Sequence, residues 1–195
     1  LVVALVLLFF WNIYSGSVSV EPKDVLRLLF QGPDESTQAR ILWDIRFPRV
    51  LAAMLLGGAL SVSGFLLQTF FANPIAGPFV LGISSGAKLV VALTMIVCLQ
   101  RSITLSSAGM VAAAFVGSLI AMGFVLLISF RVSKMSLLVV CGIMIGYICS
   151  AITDFCVTFA DDSNIVNLHN WSQGSFSGMT WDNVRMILWI VAVTM

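Results

Sequence analysis

Apolar residues run through this chain in long stretches, and the polar positions between them are gathered into short clusters. The runs cover about 1–14, 48–71, 80–99, 108–130, 137–159 and 183–195. A helix needs about 20 consecutive apolar residues to cross a bilayer core, and the four inner runs reach that length. No stretch alternates with period two at the ~10-residue strand length of a membrane barrel. The pattern predicts an all-α integral membrane protein: a polytopic helical bundle with six transmembrane segments, in a single domain over residues 1–195.

The interruptions differ from one another. Residues Ser15–Arg46 hold nine charged side chains, and Val25-Leu26-x-Leu28-Leu29-Phe30 after Pro22 predicts a short helix lying at the membrane surface. Asn73-Pro74-Ile75-Ala76-Gly77-Pro78 has two prolines and a glycine, which stop a helix, and carries no charge. Irregular backbone at membrane depth is tolerated only where protein covers it or water lines it, so a tight, partly sunken turn is expected. Arg131-Val132-Ser133-Lys134 is a basic turn, and Asp161–Asp182 a polar, glycine-rich connection. The positive-inside rule puts the basic turn in the cytoplasm. The Asn73–Pro78 turn then joins it there, with Ser15–Arg46 and Asp161–Asp182 outside.

The first run lacks the basic leader and cleavage site of a signal peptide. It is expected to be the remainder of a first spanning helix, and Met186–Met195 the start of a sixth.

Composition sharpens the class. The chain is 59% hydrophobic and 10% charged, against about 25% charged in an ordinary soluble domain. A net charge of +1 gives no basis for nucleic-acid binding. Cys98, Cys141, Cys149 and Cys156 lie within apolar runs without CxxC spacing, and read as small hydrophobes. His169, the single histidine, has no partner at ligand spacing and reads as a loop residue. There is no P-loop, no nucleophile beside a base and no carboxylate pair on one face, so neither an enzyme nor a metal site is expected.

Small and polar residues form stripes. Gly57, Ser61, Gly64 and Gln68 share one face of the second run, and Gly109, Ala113, Gly117 and Ala121 recur every four residues in the fourth. Gly142, Gly146, Ser150 and Asp154 do the same in the fifth. Small residues let helices approach closely in lipid, which accounts for Gly57, Ser61, Gly64 and the whole fourth stripe as packing. Gln68 must bond a neighbour or face water. Asp154, the one acid inside a run, reads equally as an interfacial group or a pathway residue. Lys88 reads as a snorkelling side chain, with a place inside the bundle as the alternative.

Several of these segments together resemble one family. Arg46-Phe47-Pro48-Arg49 is followed by Gly57-Gly58-Ala59-Leu60, Ser63-Gly64, Gln68, Asn73-Pro74-Ile75-Ala76, Pro78 and Leu81-Gly82-Ile83-Ser84-Ser85-Gly86-Ala87. Leu138-Val139-Val140-Cys141-Gly142 and Trp171-x-x-Gly174-Ser175-Phe176-x-Gly178-x-x-Trp181 come later in the same order. This resembles the FecCD family of ABC importer permeases, across all 195 residues and about six of the family's usual ten helices.

The resemblance implies a translocation subunit rather than an enzyme, in the bacterial cytoplasmic membrane. Its partners would be a second permease chain, two ATP-binding cassette subunits and an extracytoplasmic binding protein. No cofactor would be held by this chain, with ATP and Mg on the ATPase. It further implies that Arg46 and Arg49 receive acidic residues of the binding protein. On the residues alone they read as lipid-headgroup anchors, although two guanidinium forks suit carboxylates. Gln68, Asn73, Pro74, Ile75, Gly142, Gly146, Ser150 and Asp154 would belong to the gate and path. Ser133, Lys134, Met135 and Ser136 would form a second gate turn, where Lys134 and Met135 depart from the small hydroxyl residues of some relatives. Asp161–Trp181 would line the outer entrance. Ferric siderophores are the cargo the family carries most often, with cobalamin or haem as the alternative. A carrier or channel driven by an ion gradient is the alternative of a different class, supported only by Asp154 and Lys88.

Overall fold

A computed structural model describes residues 1–16, 18, 23, 25, 27–28, 32, 36–103, 106–160 and 162–195, the side chains of 162–164 excepted. Among the described residues every regular element is helical. The helices are α1 (Val2–Tyr14), α2 (Thr37–Arg40), a π-helical stretch (Ile41–Arg46), α3 (Phe47–Phe70), α4 (Ile83–Gln100), α5 (Ser107–Ser129), α6 (Met135–Thr158), α7 (Asp162–Gln173) and α8 (Trp181–Thr194). Four continuous helical segments are long and apolar enough to cross a membrane: Thr37–Phe70, Ile83–Gln100, Ser107–Ser129 and Met135–Thr158. Of the six expected spans, the first and last are helices of 13 and 14 residues.

The chain divides into two compact units, with boundaries inside α3 after Val62 and again after Gly174. The first comprises 1–62 and 175–195. Its core gathers Ile13, Val25, Leu28, Ala39, Leu42, Phe47 and Val50 beneath Phe9, Trp43 and Trp181. Trp43 and Phe47 lie with ring centroids 4.9 Å apart, and the Trp181 indole N–H donates to the Trp43 carbonyl at 2.8 Å. The Ser36 hydroxyl accepts from the Ala39 amide at 3.1 Å, satisfying a donor that the start of α2 leaves free. Of the expected surface helix, Lys23, Val25, Arg27 and Leu28 are helical, and Val25 and Leu28 are buried. Leu26, Leu29 and Phe30 lie outside the described residues.

The second unit, 63–174, is built on α4, which packs against α5, α6 and α7. The break at Asn73–Pro78 is a chain of turns from Phe71 to Gly82. The Asn73 side-chain oxygen accepts from the Ile75 amide at 3.0 Å, an Asx turn that starts the reversal. Gly82, at φ 74°, ends it. That left-handed residue moves the start of the third span from the expected Val80 to Ile83.

Two expectations change on the structure. Met135 and Ser136 belong to the first turn of α6, so only Ser133 and Lys134 remain in the second turn. His169 lies in a helix rather than a loop. The helix α7 escapes the hydropathy pattern because its apolar side sits at Ile165, Leu168 and Trp171 among polar neighbours. Leu168 is buried with Val91 and Ala92, and Trp171 packs beside them. The π-helical stretch before α3 has no sequence signal in its residue types.

Candidate functional site

The two arginines expected to act together have different surroundings. Arg46 is 7% exposed, and its guanidinium is spent on backbone. Its Nη1 donates to the carbonyls of Ile13 at 2.6 Å and Tyr14 at 3.1 Å, and its Nη2 to that of Val18. The last turn of a helix leaves its carbonyls without partners and carries a partial negative charge, so a cation is favoured there. A Cβ on Gly16 would lie 2.5 Å from Arg46 Nη2, which explains a glycine at that place. Arg46 is therefore a clamp on the end of α1. Arg49 is half-buried and reaches the Ser177 carbonyl through Nη2 at 2.7 Å, a solvent-facing bond.

Arg49 also stands on a groove of about 750 Å³ between α1 and α3 in the first unit. Leu5, Leu8 and Phe9 form one side, Met54, Gly57, Gly58 and Ser61 the other. Gly57 and Gly64 were expected to pack, yet a Cβ on either would meet nothing within 4 Å. Ser61 is exposed and turns its hydroxyl back to the Gly57 carbonyl at 2.8 Å. Among the described residues the face is open.

The packing appears instead on the stripe assigned to a path. A Cβ on Gly142 would come within 2.9 Å of the Leu81 Cα, and one on Gly146 within 3.2 Å of the Gly82 Cα. Ser150 contributes its hydroxyl to Ser85 at 3.4 Å. The small face of α6 is thus filled by the end of the Phe71–Gly82 turn and the start of α4. The opposite face of α6, with Met144, Tyr147, Ile148 and Phe155, is exposed.

On the fourth span Gly117 and Ala121 lie against Gly86. A Cβ on Gly117 would lie 2.3 Å from the Gly86 carbonyl oxygen, and one on Gly86 2.5 Å from the Ala121 Cβ. Ala113 packs beside Val91 and Ala92. Gly109 serves the helix start, its amide bonded to the Ser106 hydroxyl at 3.2 Å.

The remaining residues expected at the gate and path lie open. Pro74, Ile75, Gln68 and Asp154 are exposed, and Asn73 is half-exposed within its own turn. Ser133 and Lys134 are exposed on the second turn. No contact joins Gln68 to Asp154 among the described interactions. The close partners Gly82, Ser85 and Gly86 lie within the Leu81–Ala87 motif, where the repeated small residues were the available signal.

A family model described as the FecCD transport family matches residues 4–195. The chain belongs to the FecCD transport family. A vitamin B12 import system permease protein BtuC from Serratia proteamaculans is 34% identical over 189 residues, 95% of this chain and 52% of that protein. The BtuC of Klebsiella pneumoniae is 35% identical over 152 residues, 78% of this chain and 45% of that protein. The chain thus spans about half the length of the curated relatives it matches.

Among solved structures, one described as an inward-facing conformation of a metal-chelate type ABC transporter superposes with a TM-score of 0.78. It is 22% identical, with 98% of this chain and 57% of that chain covered, so the likeness is one of fold. Membership of the FecCD family and the four membrane-length helices make this a multi-pass protein of the bacterial cytoplasmic membrane.

Proposed function

We propose that the chain supplies translocation helices to the permease of a binding-protein-dependent ABC importer. The carrying observation is the family match over 4–195, supported by relatives that are named import permeases. In this reading residues 1–195 act as part of one permease domain that pairs with a second permease chain. Two ATPase subunits hold ATP and Mg, and an extracytoplasmic binding protein delivers the cargo. The chain's own work is mechanical: it offers an uncharged turn at 73–78 and exposed positions Gln68, Ile75, Ser133 and Asp154 along the route. Arg49 is the arginine that meets acidic groups of the binding protein, since Arg46 is engaged within the first unit.

The cargo favoured is a corrinoid of the cobalamin type, because the relatives above carry vitamin B12 in their names. A ferric siderophore, expected first from the family as a whole, is the second reading. Introducing the full-length gene with its ATPase and binding protein into a bacterium lacking its own cobalamin permease separates them. Restored growth on trace cobalamin is the expected outcome. Uptake of labelled ferric siderophore without any rescue by cobalamin would overturn the cargo assignment.

A further inference from the structure

The second unit holds a cavity of about 500 Å³ that no role above uses. It sits where α4 ends and α5 begins, beneath α7. Its walls are chiefly apolar, from Met95, Leu99, Ile103, Met110 and Trp171, with Cys98 among them. Ser102 and Asn167 bring the polar atoms. The volume falls within the range of about 300–1,000 Å³ typical of ligand pockets.

Its depth in the membrane follows from the length of α4. Eighteen residues at a rise of 1.5 Å each give about 27 Å, slightly less than the ~30 Å hydrocarbon core. An α4 that crosses the hydrocarbon core brings the turn at 101–103 toward the boundary between acyl chains and headgroups. Trp171, a residue type favoured at that level, faces the same space. Arg101 stands between wall residues Leu99 and Ser102, is exposed, and forms no ion pair among the described residues, where the one pair is Arg185–Asp182. Arg101 is not itself a wall residue, but a cation flanked in the chain by two of them, next to an apolar cavity, is complementary to one ligand class: an amphiphile with a negative head and a hydrocarbon tail.

We propose that this cavity holds one acyl chain of an anionic phospholipid, whose phosphate is met by Arg101. The tail fills the space between Met95, Met110 and Trp171. The lipid bridges the α4–α5 turn to α7, two parts of the second unit that the cavity separates. This goes beyond the import function and does not depend on the cargo or on the ATPase.

Trp171 reports on the occupant directly. The full-length protein is reconstituted in phosphatidylcholine containing increasing phosphatidylglycerol, with brominated acyl chains on one lipid or the other. The Trp171 signal is obtained by subtracting the emission of a Trp171→Phe variant. Brominated phosphatidylglycerol is expected to quench Trp171 with about a five-fold preference over brominated phosphatidylcholine, the factor one arginine supplies at an anionic headgroup. Arg101→Gln should abolish the preference, and Cys98→Phe, which fills the cavity, should reduce quenching by both lipids.

Equal quenching by the two lipids, or an undiminished preference in Arg101→Gln, would overturn the proposal. So would a Trp171 that neither lipid quenches, which would mean that protein fills the space. Should Trp171→Phe not fold, native mass spectrometry of the parent and Arg101→Gln proteins decides the point. Retained phosphatidylglycerol on the parent, lost in the variant, is expected, and equal retention contradicts it.

Discussion

At the scale of single residues, Arg46 and Arg49 show how far a motif and its surroundings can part. Both belong to one sequence signature, and both offer a planar fork of donors. The backbone around them decides which is available. Arg46 closes the end of α1 by holding the Ile13, Tyr14 and Val18 carbonyls. Hydrogen bonds involving a charged group contribute about 1.5–3 kcal/mol each when broken singly, although three on one guanidinium are not additive. Arg46→Ala is expected to cost about 2–4 kcal/mol on that basis, lowering the midpoint of thermal unfolding in detergent by roughly 4–16 °C. Arg49→Ala, whose bond to Ser177 is solvent-facing, should shift the midpoint far less. Charge reversal at Arg49 in the full-length protein should instead slow association with the binding protein, most at low ionic strength. A binding-protein on-rate unaffected by Arg49→Glu would remove it from docking. Sequence alone could not rank the two, because the partners of Arg46 lie 28 to 33 positions away.

At the scale of the helices, small-residue stripes were readable but their partners were not. Spacing showed which positions share a face, and four stretches of membrane length followed directly from hydropathy. What a stripe packs against depends on tertiary placement, which periodicity does not encode. Hence Gly142 and Gly146 meet the Leu81–Gly82 backbone, while Gly57 and Gly64 meet nothing within 4 Å among the described residues. The amphipathic helix α7 was hidden for a related reason: only Ile165, Leu168 and Trp171 supply its apolar side.

Alanine substitution makes the contrast measurable. Gly117→Ala places a methyl 2.3 Å from the Gly86 carbonyl oxygen, and overpacking of this kind costs about 1–3 kcal/mol. Gly57→Ala meets no neighbour among the described residues and should raise stability slightly, since alanine exceeds glycine in helix preference by about 1 kcal/mol. Both are read from the yield of monodisperse protein after heating in detergent. A Gly57→Ala chain as heat-sensitive as Gly117→Ala would show that the α3 face is packed. Gly146→Ala, at 3.2 Å from the Gly82 Cα, should fall between them.

At the scale of the whole molecule, the fold class was legible because composition and run length leave few alternatives in lipid. The broken turn at Asn73–Pro78 was legible from its prolines. The cavity beside Trp171 was not, since Met95, Met110 and Trp171 converge from three helices. The topology has its own test. Single cysteines replacing Ser133 and Ser172, both exposed, in a background without the four native cysteines should label from opposite sides of the membrane. Ser133 is expected on the cytoplasmic side, and labelling of both from the same side would contradict the topology.

The central claim, that these helices belong to an importer driven by ATP, is tested most directly by transport into sealed proteoliposomes. The full-length permease, its ATPase and its binding protein are reconstituted without any ion gradient, and labelled cobalamin is supplied on the binding-protein side. The account predicts accumulation that requires ATP and Mg on the opposite side and stops when either is withheld. Accumulation driven by a proton or sodium gradient without ATP would contradict it.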